Sequence, residues 1–469
     1  DERYKNFVGK KILIPIVDRE VKIISDNFVA IDQGSGALKV TPAHDPNDFE
    51  IGQRHDLPQI TVMTKKGTMN HNAGQFEGLD RFEAREAVID SLKEIGLLTK
   101  IEAYKHSVPF SDRGKVPVEP LLSTQWFVKM DPLSSSCSEF FEKGQPKFIP
   151  NRWSKVYRDW LTDIRDWCIS RQLWWGHQIP AWYGPNGELY VAETEEEVKA
   201  QAKEKHGENV NLTRDPDVLD TWFSSGLWAF STLGWPDKTP ELDKYYPTDC
   251  LVTGFDIIPF WVSRMMFFAM ELMDEVPFKD VYIHALVRDE KGQKMSKSKG
   301  NVIDPLDMIE KYGCDALRFT ITSMAAQGRD VRLSEDRIAG YRNFTTKLWN
   351  AAKYCEMNGC EYDPNFDPSA VQMPLNKWII QTIAQTAQDL EKAIDNYRYN
   401  DASMVLYQFT WNTFCDWYIE FTKSLFQNSD ENVVAETKAT AAWVLKQIIH
   451  LLNPFMPFVT EELNQTYFN

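Results

Sequence analysis

The spacing of apolar residues changes along the 469-residue chain, and each change predicts a different kind of structure. Short apolar runs at 12–17, 21–24 and 37–41, separated by glycine and asparagine turns, are typical of β-strands. Apolar residues then recur at helical spacing over 79–97. We therefore predict a compact β or α+β domain that ends at about Gln125.

From Trp126 to about residue 330 the pattern mixes aromatic helical stretches with short strands. The apolar run 281–287 predicts a buried strand. A helix is expected further on, with Asp304 as its N-cap and Pro305 at its first position. The polar stretch 193–211 predicts a solvated surface helix.

Beyond Arg332 the strand signals end and only helical spacing remains. Helices are predicted over 336–358, 374–396, 400–427 and 433–452, with one more starting after Asn453. The pattern thus predicts an α/β multidomain chain whose last part is an α-helical bundle. The predicted parts are 1–125, 126–330 and 331–469.

Composition supports well-formed cores, with 43% hydrophobic and 13% aromatic residues. No apolar run approaches the roughly 20 residues that span a bilayer, so no membrane association is expected. The seven cysteines are scattered and odd in number, which favours a reducing cytoplasm and argues against a structural zinc site. A net charge of −16 argues against general nucleic-acid affinity and, taken alone, favours a small-molecule enzyme.

A loop with two lysines and two hydroxyls follows the strand predicted at 281–287. It consists of Lys294, Met295, Ser296, Lys297 and Ser298. Ammonium groups can take up the charge that develops on a leaving pyrophosphate, and hydroxyls supply directional hydrogen bonds. The alternative is a solvated basic turn. Because open α/β sheets hold nucleotides in loops between a strand and a helix, we interpret the loop as a phosphate site.

A second strand–helix junction lies upstream of that loop. Gly254 follows the predicted strand end at 251–253 and permits close backbone approach, and Asp256 could hold a ribose hydroxyl pair. An ordinary junction with a capping aspartate is the alternative.

A polar cluster follows the predicted strand at 37–41. Thr41, His44, Asp45 and Asp48 place two carboxylates, an imidazole and a hydroxyl within eight residues. Such a cluster could grip a substrate amino group and orient a water molecule. A capped turn is the alternative, because aspartate, asparagine and proline favour turns.

The remaining sequence features mainly disfavour other enzyme classes. The aromatic stretch 167–180, taken alone, predicts a packed core. The sequence contains no G-x-x-x-x-G-K-[ST], G-x-G-x-x-G, H-E-x-x-H or G-x-S-x-G motif. This disfavours Walker-type NTPases, Rossmann dinucleotide enzymes, HExxH metalloproteases and Ser–His–Asp hydrolases.

A series of sequence blocks, in order along nearly the whole chain, resembles the bacterial valyl-tRNA synthetase family of class I aminoacyl-tRNA synthetases. The block 34–48 is similar to the editing-domain motif of that family. The blocks similar to the catalytic domain are 171–180, 217–228, 254–261 and 294–298. The blocks similar to the tRNA-contacting helices and the anticodon-binding bundle are 340–350, 414–418 and 454–457.

The resemblance implies activation of valine with ATP and Mg²⁺, transfer to tRNA(Val), and hydrolytic editing of mischarged threonine. In the catalytic domain it implies Lys294, Ser296, Lys297 and Ser298 as catalytic residues, and Gly254, Asp256, His284, Met295 and Lys297 as ATP-binding residues. An apolar valine pocket would be walled by Trp222, Ile257 and Trp261. Editing would depend first on Asp48, with Asp45, His44 and Thr41 as weaker candidates. A basic face for tRNA would include Arg329, Arg332, Arg342 and Lys347.

The chain also departs from the family pattern. It contains no His-x-Gly-His motif. Compared with the family pattern, the chain is expected to begin inside the editing insertion and to end within the bundle, before the C-terminal coiled coil. The resemblance therefore implies a fragment, inactive in aminoacylation on its own, of an enzyme expected to be monomeric. Two alternatives remain open. One is an isoleucyl or leucyl relative, disfavoured by the apolar stretch 257–261, and the other is a non-catalytic tRNA-binding paralogue that naturally lacks the first half of the sheet.

Overall fold

The boundary between Gln125 and Trp126 divides the protein into two units, Asp1–Gln125 and Trp126–Asn469. The computed structural model describes residues 2–32, 34–111, 114–207, 210–296 and 300–468. Within these ranges no helix is long and apolar enough to cross a membrane.

The first unit contains one β-hairpin and a few helices. Its elements are β1 (Lys11–Ile14), β2 (Arg19–Lys22), α1 (Pro46–Arg54), α2 (Arg81–Glu94) and the 3₁₀ segments Glu2–Phe7 and His71–Phe76. The two strands are antiparallel, and Lys11 lies opposite Lys22. A small core of Ala73, Phe76 and Ala84 joins the second 3₁₀ segment to α2.

The predicted helix over 79–97 is confirmed by α2, but the strand expected at 37–41 is wrong. Residues 37–39 are exposed and follow left-handed turns at Gly34 and Gly36 (φ 55° and 71°). An extended segment is stable only when a neighbouring strand completes its ladder, and β1 and β2 pair with each other instead. The described part of this unit is therefore less β-rich than the sequence predicts.

The second unit is built around a three-stranded parallel sheet. The strands of the unit are β3 (Phe127–Val128), β4 (Lys147–Ile149), β5 (Trp167–Cys168), β6 (Ser170–Arg171), β7 (Ala181–Tyr183), β8 (Leu189–Val191), β9 (Thr213–Arg214), β10 (Val218–Leu219), β11 (Thr248–Thr253), β12 (Phe278–Ile283), β13 (Val287–Arg288) and β14 (Val331–Arg332). The central order is β11–β12–β4, with Thr253 opposite Ile283 and Tyr282 opposite Ile149. All three strands therefore end at the same edge.

Short strand pairs and nine helices surround this sheet in the described residues up to 332. The pairs β3–β5 and β6–β10 and the trio β8–β7–β9 are antiparallel, and β13–β14 is parallel. The helices are α3 (Asp131–Glu142), α4 (Trp153–Thr162), α5 (Glu195–His206), α6 (Thr221–Gly226), α7 (Trp228–Ser231), α8 (Pro240–Tyr245), α9 (Ser263–Leu272), α10 (Pro305–Tyr312) and α11 (Cys314–Met324). A 3₁₀ turn (Phe255–Ile257) and a π-helical turn (Ile258–Val262) lead into α9.

Two of these helices begin where their local signals predict. The Asp304 carboxylate caps α10 by accepting from the Leu306 amide, and Pro305 is the first helical residue. The surface helix α5 begins with a capping box in which Thr194 and Glu197 satisfy each other's backbone N–H groups. Both predicted helices are confirmed.

The C-terminal part is an α-helical bundle, as predicted. Its helices are α12 (Glu335–Met357), α13 (Pro374–Asp395), α14 (Tyr399–Tyr407), the π-helical segment Gln408–Tyr418, α15 (Ile419–Leu425), α16 (Glu431–Leu452) and α17 (Pro457–Tyr467). The fully buried side chains of Phe344, Phe414 and Tyr418 lie in its core. The single helix expected over 400–427 is interrupted only by a change to π-helical bonding.

The turn between α13 and α14 joins the bundle to the central sheet. The Tyr397 hydroxyl donates to the Asp280 carboxylate in the middle of β12 at 2.7 Å. Its ring stacks on Tyr282 with centroids 5.7 Å apart. The side-chain amide of Gln327, three residues after the end of α11, donates to the Tyr397 carbonyl at 3.1 Å. The bundle is thus bonded directly to the strand that ends at the edge described next.

Candidate functional site

Three predicted residues meet at the carboxyl edge of the parallel sheet. Gly254 follows β11 and His284 follows β12, and the His284 amide donates to the Thr253 carbonyl at 2.9 Å. A Cβ atom at Gly254 would lie 2.7 Å from an Asp256 carboxylate oxygen and 3.6 Å from the His284 ring. The glycine therefore leaves a gap between a carboxylate and an imidazole, both of which are exposed.

A cavity of about 240 Å³ adjoins this edge. It is lined by Arg152, Trp153, Phe255, Ile283, His284, Ala285, Gly328, Arg329 and Asp330. Trp153 stacks on Phe255 with centroids 4.9 Å apart and planes at 7°. The Arg152 guanidinium lies 4.8 Å above the Trp153 ring and donates to the Gly328 carbonyl at 2.6 Å. One wall is therefore a flat aromatic pair beside a fixed cation.

Arg152 and Trp153 were missed by reasoning from the sequence. They follow β4, the third parallel strand of the sheet. Residues just beyond the carboxyl ends of parallel strands line ligand crevices, so the signal was positional. Using that signal would have required knowing that the three residues of β4 pair with β12.

The lysine loop is held by two residues that the sequence did not single out. The Asn301 side chain accepts from the Ser296 amide at 2.9 Å and donates to the Asp289 carboxylate at 2.9 Å and the Lys294 carbonyl at 3.3 Å. Asp289 also accepts from the Gln293 amide at 2.7 Å. The hydrogen bond from Asn301, followed by that from Gln293, lowers the pKa of Asp289, so this carboxylate holds the loop in its charged form.

Of the five predicted loop residues, Lys294 is exposed, and Met295 and Ser296 are half-buried. Lys297 and Ser298 lie outside the described residues. The exposed ammonium of Lys294 stands at the start of a loop whose backbone is fixed from the Asn301 side. This arrangement can present a cation to an anionic ligand.

An aromatic cluster lies where α6 packs on the π-helical turn Ile258–Val262. Trp222 on α6 stacks with Phe260 at 5.8 Å, and the Trp261 indole donates to the Ser225 carbonyl at 3.1 Å. Ile257 is half-buried one residue before this turn. Trp222 and Trp261 are thus brought to one helix contact, and Phe260 is an additional wall that was not predicted.

A buried arginine packs beside α6, the helix that carries Trp222. Arg264 on α9 is 5% exposed and its guanidinium lies 4.0 Å over the Trp167 ring. Burial lowers the pKa of Arg264 to about 10. The Trp167 indole donates at 3.0 Å to Asp220, whose carboxylate also receives Arg171 at 2.8 Å and caps α6. The stretch 167–180, predicted to be packed core, is buried at Trp167 but exposed throughout 172–178, including Trp174 and Trp175, so that prediction is wrong for residues 172–178. Its buried start fixes the helix that carries Trp222.

In the first unit, the polar cluster is a capped helix start with one buried carboxylate. Asp45 is the N-cap of α1 and accepts from the amides of Asn47 and Asp48. The His44 ring accepts from the Val62 amide at 2.9 Å through Nε2, and its Nδ1 lies 3.1 Å from the Pro120 carbonyl.

Asp48 differs from its neighbours because it is 7% exposed and its carboxylate accepts from the Thr41 amide at 2.7 Å. The Thr41 hydroxyl is bonded to the Lys39 ammonium at 2.6 Å. The cluster therefore brings Thr41 and Asp48 together, whereas Asp45 and His44 are engaged in local structure.

The four basic residues expected to form one face are distributed over three places. Arg329 lines the cavity, and Arg332 lies against Gly292 in the lysine loop. Lys347 on α12 pairs with Asp416 at 2.8 Å, which raises the pKa of the lysine. Arg342 is exposed on the same helix. Arg342 and Lys347 therefore lie together on the bundle, whereas Arg329 and Arg332 lie in the catalytic region.

Among the described residues, no three His, Cys, Asp or Glu side chains are grouped as metal ligands. The expectation that the protein lacks a zinc site remains a prediction.

Two family profiles match the chain. One, described as tRNA synthetases class I (I, L, M and V), matches residues 16–334, and one described as the anticodon-binding domain of tRNA ligase matches residues 376–469. The valine–tRNA ligase of Prochlorococcus marinus (strain NATL2A) is 61% identical over 99% of this chain and 52% of its own length. That of Bartonella henselae is 51% identical over 99% of this chain and 53% of its own length. The chain therefore spans about half the length of the curated relatives it matches.

Solved structures share the fold at low sequence identity. A ternary complex of Agrobacterium radiobacter K84 agnB2 LeuRS with tRNA and LeuAMS has a TM-score of 0.54 and 17% identity, covering 98% of this chain and 51% of that chain. Mycobacterium tuberculosis methionyl-tRNA synthetase with methionyl-adenylate has a TM-score of 0.58 and 18% identity, covering 76% of this chain and 65% of that chain.

Proposed function

Since this chain belongs to the class I tRNA synthetase family (I, L, M and V), we propose that it is part of a valine–tRNA ligase. It would supply the second half of the catalytic domain, the anticodon-binding bundle and part of an editing domain. The complete protein would activate valine with ATP and transfer it to tRNA(Val). The observation that carries this proposal is the meeting of Gly254, Asp256 and His284 at the carboxyl edge of a parallel sheet, followed by an anchored lysine loop.

In the first reaction the valine carboxylate attacks the α-phosphorus of ATP and pyrophosphate leaves. The gap at Gly254 fits the close approach of a nucleotide, and the exposed Asp256 carboxylate is suited to accept from ribose hydroxyls. Lys294 and Lys297 would stabilise the negative charge that develops on the leaving group, with Ser296, Ser298 and the backbone at Met295 donating hydrogen bonds. Mg²⁺ would enter as part of the ATP substrate complex.

Valine would be selected by a pocket at the aromatic cluster. Trp222 and Trp261, with Ile257 beside them, offer apolar walls to a small branched side chain. Such a pocket excludes isoleucine by crowding, but it rejects the isosteric threonine by only about 10². A second, hydrolytic site is therefore required.

The first unit is the place where we propose that site. Asp48 would accept the amino group of a threonyl ester, and Thr41 lies bonded to it. Asp45 and His44 would hold the helix and the neighbouring backbone in position rather than contact the substrate. The tRNA would be contacted on the bundle by Arg342 and Lys347, with Arg332 near the lysine loop.

The test is amino-acid-dependent exchange of pyrophosphate into ATP, measured on the complete gene product. Valine should support exchange with a kcat/KM about 10² above threonine and higher still above isoleucine. A preference for isoleucine or leucine would instead identify the protein as an isoleucyl or leucyl member of the family. Absence of exchange with all three, together with retained tRNA binding, would favour a non-catalytic tRNA-binding paralogue.

A further inference from the structure

The C-terminus of α12 places two cysteines against each other. After Met357 the chain turns through Gly359, whose φ is +66°. The Gly359 amide donates to the Glu356 carbonyl and the Cys360 amide donates to the Cys355 carbonyl, both at 2.9 Å. This pair of bonds is the Schellman motif, in which the residue after the left-handed glycine packs on the residue five positions earlier. Here both of those residues are cysteines.

The Schellman motif brings the two cysteine side chains together, and their surroundings differ. Cys355 is 2% exposed in the bundle core, whereas Cys360 is half-buried at its margin. The hydrogen bond from Cys355, together with the nearby Lys438 ammonium, lowers the pKa of Cys360. The same hydrogen bond and burial raise the pKa of Cys355. Of the two, Cys360 is therefore the one whose thiolate form is favoured.

Three of the other cysteines are in a different environment. Burial raises the pKa of Cys137, Cys250 and Cys415. A protonated thiol is a poor nucleophile, so these three should react slowly.

We propose that Cys355 and Cys360 are a reversible oxidation site that forms an intramolecular disulfide on exposure to peroxide. The Cys360 thiolate attacks one oxygen of hydrogen peroxide, which gives a sulfenic acid and releases hydroxide. The Cys355 thiol then attacks that sulfur, which forms the S–S bond and releases water after one proton transfer. The peroxide is reduced by two electrons and the two cysteines together are oxidised by two.

The experiment is peroxide treatment of the complete protein, followed by denaturation, iodoacetamide alkylation and peptide mass spectrometry. The peptides of Cys355 and Cys360 should be recovered as a linked species that has lost two hydrogens, and dithiothreitol should restore both alkylation sites. Cys360 should react at least about tenfold faster than Cys314, a half-buried cysteine on α11. Equal rates at these two positions, or no linked species, would overturn the proposal.

Variants separate the two chemical roles. Cys360→Ser should leave Cys355 fully alkylated after peroxide, whereas Cys355→Ala should leave a sulfenic acid on Cys360 that dimedone traps. Lys438→Met should slow oxidation several-fold, and Lys438→Arg should restore it. An unchanged oxidation rate in Lys438→Met would show that the lysine does not promote the reaction. Loss of the linked species in a Cys314→Ser control would contradict the assignment of the disulfide to Cys355 and Cys360.

The pH profile is a further readout. The rate should rise with pH through the pKa of Cys360, which lies below the 9.0 of an unperturbed cysteine. In Lys438→Met the inflection should move upward, because the positive charge that favours the thiolate is gone. A profile that inflects at or above 9.0 in the unmodified protein would count against the thiolate mechanism.

Discussion

Asn301 shows how one side chain can determine the shape of a charged loop. Its amide bonds to the Ser296 backbone, the Lys294 carbonyl and the Asp289 carboxylate at once. A loop that must stabilise a transition state is effective only if its cations are held where charge develops. Asn301 is therefore a positioning residue for Lys294 and Ser296.

We predict that Asn301→Ala in the complete enzyme lowers the rate of valine-dependent pyrophosphate exchange by about tenfold or more, because displaced cations stabilise the leaving group poorly. The KM for valine should change little. Asn343→Ala, at an exposed position on α12, is the matched control and should leave exchange intact. Equal losses in kcat and in valine affinity would indicate general damage instead.

Asp48 is the second residue whose environment suggests a task. It is a buried carboxylate that has one backbone donor, Thr41, in a cluster where the other members serve local structure. We predict that Asp48→Ala leaves valine activation unchanged and allows threonyl-tRNA to accumulate. The measurement is the fraction of threonine-charged tRNA at steady state. Glu86→Ala on the exposed face of α2 is the control, and equal low mischarging in both variants would place editing elsewhere.

At the scale of elements, α6 and α9 are in close contact beside the aromatic cluster of Trp222, Phe260 and Trp261. Gly226 ends α6, and a Cβ there would lie 2.6 Å from the Phe268 ring and 3.2 Å from Arg264. The helices approach closely because this side chain is absent.

We predict that Gly226→Ala displaces α6 and destabilises the protein by about 1–3 kcal/mol, the usual cost of overpacking. The ratio of valine to isoleucine in pyrophosphate exchange should fall at the same time. Gly340→Ala provides the control, since a Cβ at that helical position meets nothing within 4 Å and alanine favours helices. A Gly226→Ala protein with unaltered thermal unfolding and an unaltered ratio would refute the role of this contact.

Prediction from sequence succeeded for elements whose signals are local. Asp304 caps its helix within two residues of itself, and the polar stretch 193–211 indicates a solvated helix by its composition, so both helices could be located without tertiary knowledge. The strand expected at 37–41 failed because pairing, not pattern, decides whether an extended segment becomes a strand. Gly254 was found from its strand end, whereas His284 was implied only by the family resemblance, because the strand predicted over 281–287 ends at Ile283. Trp153 was missed, because β4 is too short to signal its own membership of the sheet.

At the scale of the whole molecule, the catalytic region and the bundle are joined by a buried carboxylate. Asp315 on α11 is 5% exposed and accepts from the amides of Phe458 and Val459 at 3.2 and 2.6 Å, at the start of α17. The neighbouring Arg318 donates to the Pro454 carbonyl at 3.0 Å. No local pattern could have predicted a cap supplied from about 140 residues away, since periodicity reports only which face of a helix is buried.

We predict that Asp315→Ala destabilises the protein by about 1–3 kcal/mol, because two helix-terminal N–H groups lose a charged acceptor. Hydrogen exchange should accelerate at Phe458 and Val459 more than elsewhere in the bundle. Asp307→Ala on the exposed side of α10 is the control. Retained protection at the start of α17 would show that packing alone holds that helix.

The bond between Tyr397 and Asp280 has a mechanical consequence. It attaches the turn between α13 and α14 to the middle of β12, three residues before the strand ends beside His284. A force on the bundle would therefore reach the edge that carries His284 through the second half of β12. The packing of the bundle and the position of that edge are mechanically coupled, whereas the lysine loop is held through the separate hydrogen bonds of Asn301.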